Sequence, residues 1–194
     1  MQNEPVAADS IRDGADLILF SGDKLIGGPQ CGIIAGKKKY VSRILKDPLM
    51  RAMRVGKMTL AALHTTLSLY RDEEKAKQSV PLLRMLSMPV DNLKMRAEKL
   101  VSLLTPIAEV DSCEAIEEEA MLGGGSLPAQ KIPTWCVSIS PVGSVDAFTA
   151  KLRSGSPAIL GRVQKDRLLL DMRTVSPGED LEVIKVFENL KEPT

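Results

Sequence analysis

The sequence predicts a mixed α/β chain in which two short strands lead into a run of helices and a smaller antiparallel sheet follows. Three observations carry this reading. Two apolar runs, Leu17 to Phe20 and Cys31 to Ala35, flank a turn rich in glycine with Gly22, Gly27, Gly28 and Pro29, as buried strands around a loop would. Apolar residues at helical spacing recur between Lys57 and Leu104. From Ala108 onward the pattern changes to short strands with intervening helices.

Taken in order, Asn3 to Gly14 reads as a loop with a short helix, leading into the first strand. After the second strand, KKKYVSRILKDP forms a short helix that stops before Pro48. Lys57 to Tyr70 is a stronger helix with Leu60, Leu63, Leu67 and Tyr70 on one face. Pro81 and Pro89 bracket a short segment, Leu82 to Met88, and Asp91 is positioned to cap a helix whose stripe is Leu93, Ala97, Leu100, Val101 and Leu104. A domain boundary is expected near Thr105. Strands follow at Cys113 to Met121 and Trp135 to Ser140, then a helix near Val145 to Arg153. A hairpin pairs Ala158 to Val163 with Leu168 to Thr174 across a polar turn, and Leu181 to Leu190 covers it with Val183, Ile184, Phe187 and Leu190. The acidic run Glu114 to Ala120 reads as one solvated face of its element.

Composition narrows the function. In 194 residues, 44% hydrophobic, there is material for one moderate domain or two small ones. With 26 basic against 25 acidic residues, no global field recruits nucleic acid. Cys31, Cys113 and Cys136 are odd in number and lack a CxxC pair, which argues against a disulfide framework and a zinc site and fits a reducing cytoplasm. No metal site is expected. No apolar run approaches the ~20 residues of a membrane span, and the polar start lacks the apolar core of a signal peptide.

The residue with the most chemical promise is Lys24, in the turn between the first two strands. Glycines let a backbone approach a bound group, and an amine held between apolar strands loses part of its hydration and becomes a nucleophile, suited to a Schiff base with an aldehyde cofactor. On pattern alone, an ordinary surface lysine or a phosphate contact remains open. A Walker A loop fails on spacing, since GIIAGKK has three residues between its glycines and no Ser or Thr after its lysine. Arg51, Arg54 and Lys57 recur every three residues, so on one helix they would converge on an anion; a solvated basic helix start is the alternative. His64, the only histidine, lies beside an apolar stripe and reads as structural, and Met85, Met88 and Met95 read as core filler.

The stretch SGDKLIGGPQCGIIAGKK, Ser21 to Lys38, closely resembles the cofactor-lysine loop of the bacterial selenocysteine synthases, the L-seryl-tRNA(Sec) selenium transferases. The likeness continues through RAMRVGKMTLAAL, Arg51 to Leu63, then GGGSLP, Gly123 to Pro128, and weakly GRVQKDRLLLDMRT, Gly161 to Thr174. It implies a fold-type I architecture related to aspartate aminotransferase. Residues 1–56 would be the end of a large cofactor-binding domain, 57–105 connecting helices, and 106–194 a small carboxy-terminal α/β domain with an antiparallel sheet. Because family members carry most of a large domain and a tRNA-binding domain before the lysine, the chain is expected to be a carboxy-terminal portion.

The resemblance further implies pyridoxal 5'-phosphate bound at Lys24, with Ser21, Asp23, Gly27 and Gly28 in the cofactor loop. It implies selenophosphate held by Arg51 and Arg54, with Lys57 and Ser126 as further substrate contacts. The implied reaction converts seryl-tRNA(Sec) to selenocysteinyl-tRNA(Sec) through an aminoacrylyl ester, in a cytoplasmic homo-oligomer built from dimers. Arg173 matches a carboxylate-binding arginine of the wider superfamily, but a seryl ester has no free carboxylate to bind. Two alternatives remain: a related lyase acting on a small amino acid or amino-sugar acid, and a non-catalytic folding or assembly module.

Overall fold

The computed structural model describes residues 6–122 and 131–191. Its first elements are α1 (Ala7–Arg12), β1 (Leu17–Ser21) and β2 (Gly32–Gly36). β1 and β2 form an antiparallel pair in register from Leu17 opposite Gly36 to Ser21 opposite Gly32. Five helices follow: α2 (Lys38–Lys46), α3 (Leu49–Met53), α4 (Lys57–Leu69), α5 (Glu73–Ser79) and α6 (Pro81–Ser87). The sequence reading missed α3 and α5, each too short to show an apolar stripe. Both start on an aspartate: Asp47 accepts from the Leu49 N–H at 2.9 Å and Asp72 from the Lys75 N–H at 3.1 Å.

The remaining elements are α7 (Val90–Leu104), β3 (Val110–Met121), β4 (Lys131–Pro141), α8 (Val145–Ser154), β5 (Arg162–Gln164), β6 (Arg167–Asp171) and α9 (Asp180–Glu188). The four strands make an antiparallel sheet in the order β3-β4-β6-β5. The hairpin is shorter than expected on its first strand, because β5 pairs only from Arg162. Its turn holds Lys165 and Asp166 at φ of 52° and 57°, the left-handed pair that a two-residue hairpin loop requires. The mixed α/β class expected from the sequence, with an antiparallel sheet backed by helices, is the one observed.

Contacts divide the described residues into two compact units, one up to Arg84 and the other from Met85. That division falls earlier than the pattern change near Thr105. α7 packs Leu93, Ala97, Leu100 and Leu104 into the core that also holds Val137, Ile139, Leu168 and Leu170 of the sheet, so it belongs with the strands after it. α8 adds Phe148 and Leu152, and α9 adds Val183, Val186 and Phe187, with the Phe148 and Phe187 rings edge to face at 5.7 Å. The cap expected from Asp91 is not made: Pro89 stands at the cap position, and Asp91 lies in the first turn, where a carboxylate favours the helix dipole. Of the methionines read as core, Met88 packs against the core while Met95 is exposed.

Two buried arginines tie this unit together. Arg96, on the apolar side of α7, pairs with Asp180 at 2.6 Å and donates to the carbonyls of Met172 and Val175. Arg173 donates to the carbonyls of Met85 and Pro133, and its burial lowers its pKa. Both satisfy backbone carbonyls of buried or part-buried segments that the helices and the sheet leave without a donor. On the other face of the sheet, Glu114 pairs with Arg167 and Glu118 with Arg162, alongside buried Thr134, Cys136 and Ser138. The acidic run is therefore countercharge for the hairpin arginines as well as a wet face. Burial pushes the Cys113 and Cys136 thiols up to about 11, so both stay protonated at neutral pH.

Replacing Arg96 by Ala should cost roughly 2–4 kcal/mol, because Asp180 and two carbonyls lose their donor together. Urea unfolding followed by the fluorescence of Trp135, the only tryptophan and a residue of β4, checks this. A midpoint unchanged from the parent would show that the pair contributes nothing.

Candidate functional site

The loop that carries Lys24 is closed by its own backbone. Beyond the paired strands, Gly22 N–H donates to the Cys31 carbonyl at 2.9 Å, Gly28 N–H to the Gly22 carbonyl at 2.8 Å and Gly27 N–H to the Lys24 carbonyl at 3.0 Å. Glycine is needed at two of these places for different reasons. A Cβ at Gly22 would stand 2.8 Å from the Pro29 carbonyl and 2.5 Å from the Cys31 sulfur, whereas Gly27 turns the chain at φ +69°. The loop rests on α4: Leu63 and Thr66 lie under Gly28, and the Tyr70 hydroxyl is shared between the carbonyls of Ile26 at 2.9 Å and Leu25 at 3.2 Å. Desolvation raises the Tyr70 pKa, which keeps the hydroxyl a donor.

Ser21, Asp23 and Lys24 are exposed on this loop, with Ser21 ending β1 three residues before the lysine. The partial desolvation expected of the Lys24 amine is thus not supplied by the described residues. The Gly27 and Gly28 N–H groups are spent inside the loop, and the space beside their Cα atoms is taken by Val80 at Gly27 and by the Gly22 carbonyl, Leu63 and Thr66 at Gly28, so these glycines shape and pack the loop and offer neither donors nor an open cradle. Tyr70 was read from the sequence only as part of an apolar stripe. Its aromatic ring at a helix end was the available sign, but nothing local shows where its hydroxyl goes. That stripe is itself shallow, since Leu60 and Leu67 are exposed, and His64 is exposed as well.

The three cations do not lie on one helical turn. Arg51 is in α3, Arg54 is the residue that ends it with an extended ψ of 138°, and Lys57 opens α4 after Gly56. The spacing of three spans a helix break. All three side chains are exposed and none forms an ion pair among the described residues. Gly56 has no side chain to cap α4, so the first N–H groups of a 13-residue helix open beside Arg54 and Lys57. Lys57 is six residues, roughly 9 Å of helix axis, before Leu63 under the lysine loop. One helix thus supports the amine and begins at the cations.

Elsewhere, Arg173 is committed to carbonyl groups and is not presented to a ligand. Ser126 lies outside the described residues. Among the described residues no cluster of His, Cys, Asp or Glu could hold a metal ion, and no helix is long and apolar enough to cross a membrane.

Comparison with known proteins gives a consistent answer. The family described as SelA, L-seryl-tRNA selenium transferase, matches residues 1–176. A curated L-seryl-tRNA(Sec) selenium transferase of Hyphomonas neptunium is 41% identical over 191 residues, 98% of this chain and 41% of its own length. That of Solidesulfovibrio magneticus is 43% identical over 183 residues, 92% of this chain and 39% of its own, and that of Moorella thermoacetica 41% identical over 186 residues, 95% and 40%. The chain therefore spans about two fifths of the length of these relatives. A match along 1–176 that includes the closed lysine loop and the cations at the head of α4 means that the chain belongs to the SelA family of L-seryl-tRNA selenium transferases.

Proposed function

We propose that this chain carries the cofactor lysine and the anion-binding cations of a pyridoxal-phosphate-dependent transferase. Its reaction is the conversion of seryl-tRNA(Sec) to selenocysteinyl-tRNA(Sec) with selenophosphate as selenium donor. The observation that carries the reading is the loop itself: an exposed primary amine on a turn whose backbone is closed by three internal hydrogen bonds and pinned to α4 by Tyr70. The residues present fit the cofactor. Lys24 Nζ is a nucleophile for its aldehyde and Ser21 offers a hydroxyl to its phosphate, while Gly27 and Gly28 give the loop that carries them its closed shape.

When bound, the cofactor supplies an electron sink that makes loss of the α-proton and of the serine hydroxyl accessible. The chain's residues divide the other tasks. Lys24 Nζ would hold the cofactor through its aldehyde while no substrate is bound and, as a free amine, would be the base that takes the α-proton. Asp23 holds an acceptor beside it in sequence. Arg51, Arg54 and Lys57, with the open start of α4, bind the phosphate oxygens of the donor and orient its selenium. Ser126 is a further substrate contact in this reading. In the complete protein, residues 1–56 end the cofactor domain, 57–105 connect, and 106–194 form the small domain on which α7 docks. The assembly is a cytoplasmic homo-oligomer of dimers.

Incubating the chain with pyridoxal phosphate, reducing with borohydride and mapping the modified peptide tests the reading without requiring turnover. Label concentrates on Lys24 and is lost in Lys24→Ala; label spread over many lysines and unchanged by that substitution would sink it. In the same assay Tyr70→Phe removes an anchor of about 1 kcal/mol and slows Lys24 labelling several-fold, while the Trp135 unfolding curve stays in place. Equal labelling would show that the loop holds its shape without the hydroxyl.

A further inference from the structure

The near-neutral total conceals a polarised chain. Residues 1–84 contain 14 basic and nine acidic residues, whereas residues 85–194 contain 12 and 16, so the excess of positive charge belongs to the first part. It is concentrated between Lys37 and Lys57, where eight basic residues face a single acid, Asp47. That carboxylate is occupied as the acceptor for the Leu49 N–H. Other acids of this unit are committed locally: Asp9 to Arg12, Asp16 to Lys37, Glu73 and Glu74 to Lys77, and Asp72 to the start of α5.

Helix α2 displays this excess on one side. Lys39, Arg43 and Lys46 follow each other at i, i+4 and i+7, with Lys38 at the edge of the same arc, and all four are exposed. None of the four forms an ion pair at contact distance among the described residues; Lys39 stands 4.5 Å over the Tyr40 ring and acts at longer range on Asp16, whose contact partner is Lys37. Like charges four apart destabilise a helix by about 0.2–0.5 kcal/mol per pair, a cost that Arg43 and Lys46 offset in part by lying in the last turn of α2, where cations favour the helix dipole. It covers about 10 Å of axis, long enough to meet more than one phosphate of a nucleic-acid backbone. The opposite side, Tyr40, Val41 and Ile44, is half-buried in the chain, which leaves Leu45 as the one exposed large apolar residue of α2, too little apolar surface to insert into a lipid surface.

We propose that the face of α2 formed by Lys38, Lys39, Arg43 and Lys46 docks the sugar-phosphate backbone of the substrate's tRNA. This rests on the reading that the seryl group arrives on tRNA. It assigns a separate task from that of Arg51 and Arg54, which take the small anion. Contacts of this kind position the RNA and carry no sequence information, so the affinity is salt-dependent.

Fluorescence anisotropy of labelled, unacylated tRNA(Sec) transcript with the 194-residue chain, between 50 and 200 mM KCl, tests the proposal. The parent chain binds with a log-log salt slope of about −3, and Lys39→Gln/Arg43→Gln/Lys46→Gln loses tenfold or more in affinity and about two to three of that slope. Removing the same charge elsewhere, Lys99→Gln/Lys151→Gln/Lys165→Gln, leaves affinity within about twofold. Borohydride labelling of Lys24 in the triple α2 variant reports that its unit is intact. Where that labelling is lost, Arg43→Gln alone, expected to lower the slope by about one, decides the matter. Equal loss in both triple variants, no loss in the α2 variant, or binding to phosphatidylserine vesicles without binding to the transcript would each overturn the proposal. Selective labelling of Lys24 in a chain that ignores the transcript would remove the docking face and leave the cofactor reading standing.

Discussion

The first unit depends on a missing side chain at Gly22. Any Cβ there would press on the Pro29 carbonyl and the Cys31 sulfur, and neither backbone carbonyl nor half-buried sulfur can step aside cheaply. With the space empty, the Gly22 N–H reaches Cys31 and its carbonyl receives Gly28, which closes the loop on itself. Closure decides where Lys24 emerges. Tyr70 then fixes the neighbouring carbonyls from α4, so the backbone that carries Lys24 is held by atoms that belong to other residues. Pre-organisation of this sort lowers the entropy that a bound group would otherwise have to remove.

The second unit solves a different problem with charge. Its core is an ordinary apolar layer between α7, α8, α9 and the sheet, but the carbonyls at the ends of β6 and before α7 point inward. Arg96 and Arg173 satisfy several of them at once, which a lysine could not do with the same geometry. Each guanidinium is a cross-link that fastens segments far apart in sequence: Arg96 joins α7 to the chain around Met172 and Val175, and Arg173 joins the residue after β6 to the residues around Met88. An arginine such as Arg173, which resembles a ligand contact in the sequence, is thereby used up by the fold.

Periodicity made most of this legible. The stripe Leu93, Ala97, Leu100 and Leu104 follows from local pattern because one buried face imposes a repeat on the sequence, the hairpin follows from its polar turn, and the strands around Lys24 were legible as apolar runs although they are at most half-buried, with Leu19 and Ile34 exposed. What escaped was non-local or too short to repeat. α3 and α5 have single turns of information, Arg96 sat unremarked within an apolar stripe, and the partner carbonyls of Arg173 and Tyr70 are more than 40 residues away from them or close to it. Arg51, Arg54 and Lys57 illustrate the opposite error. A period of three left open that the three share one helix, yet Gly56 and the extended Arg54 break it, and the break leaves a helix start open beside the cations.

Charge shows the same contrast between sums and places. A net charge of +1 was read as the absence of a field for nucleic acid, which holds for the far field of the chain. Binding is decided nearer. In physiological salt the Debye length is about 8 Å, shorter than the axis of α2, so a phosphate at its surface responds first to the charges on that helix, Lys39, Arg43 and Lys46. The acids after residue 85 are in part already spent on the hairpin arginines. A chain that is neutral as a whole can therefore present a cationic face at a single helix.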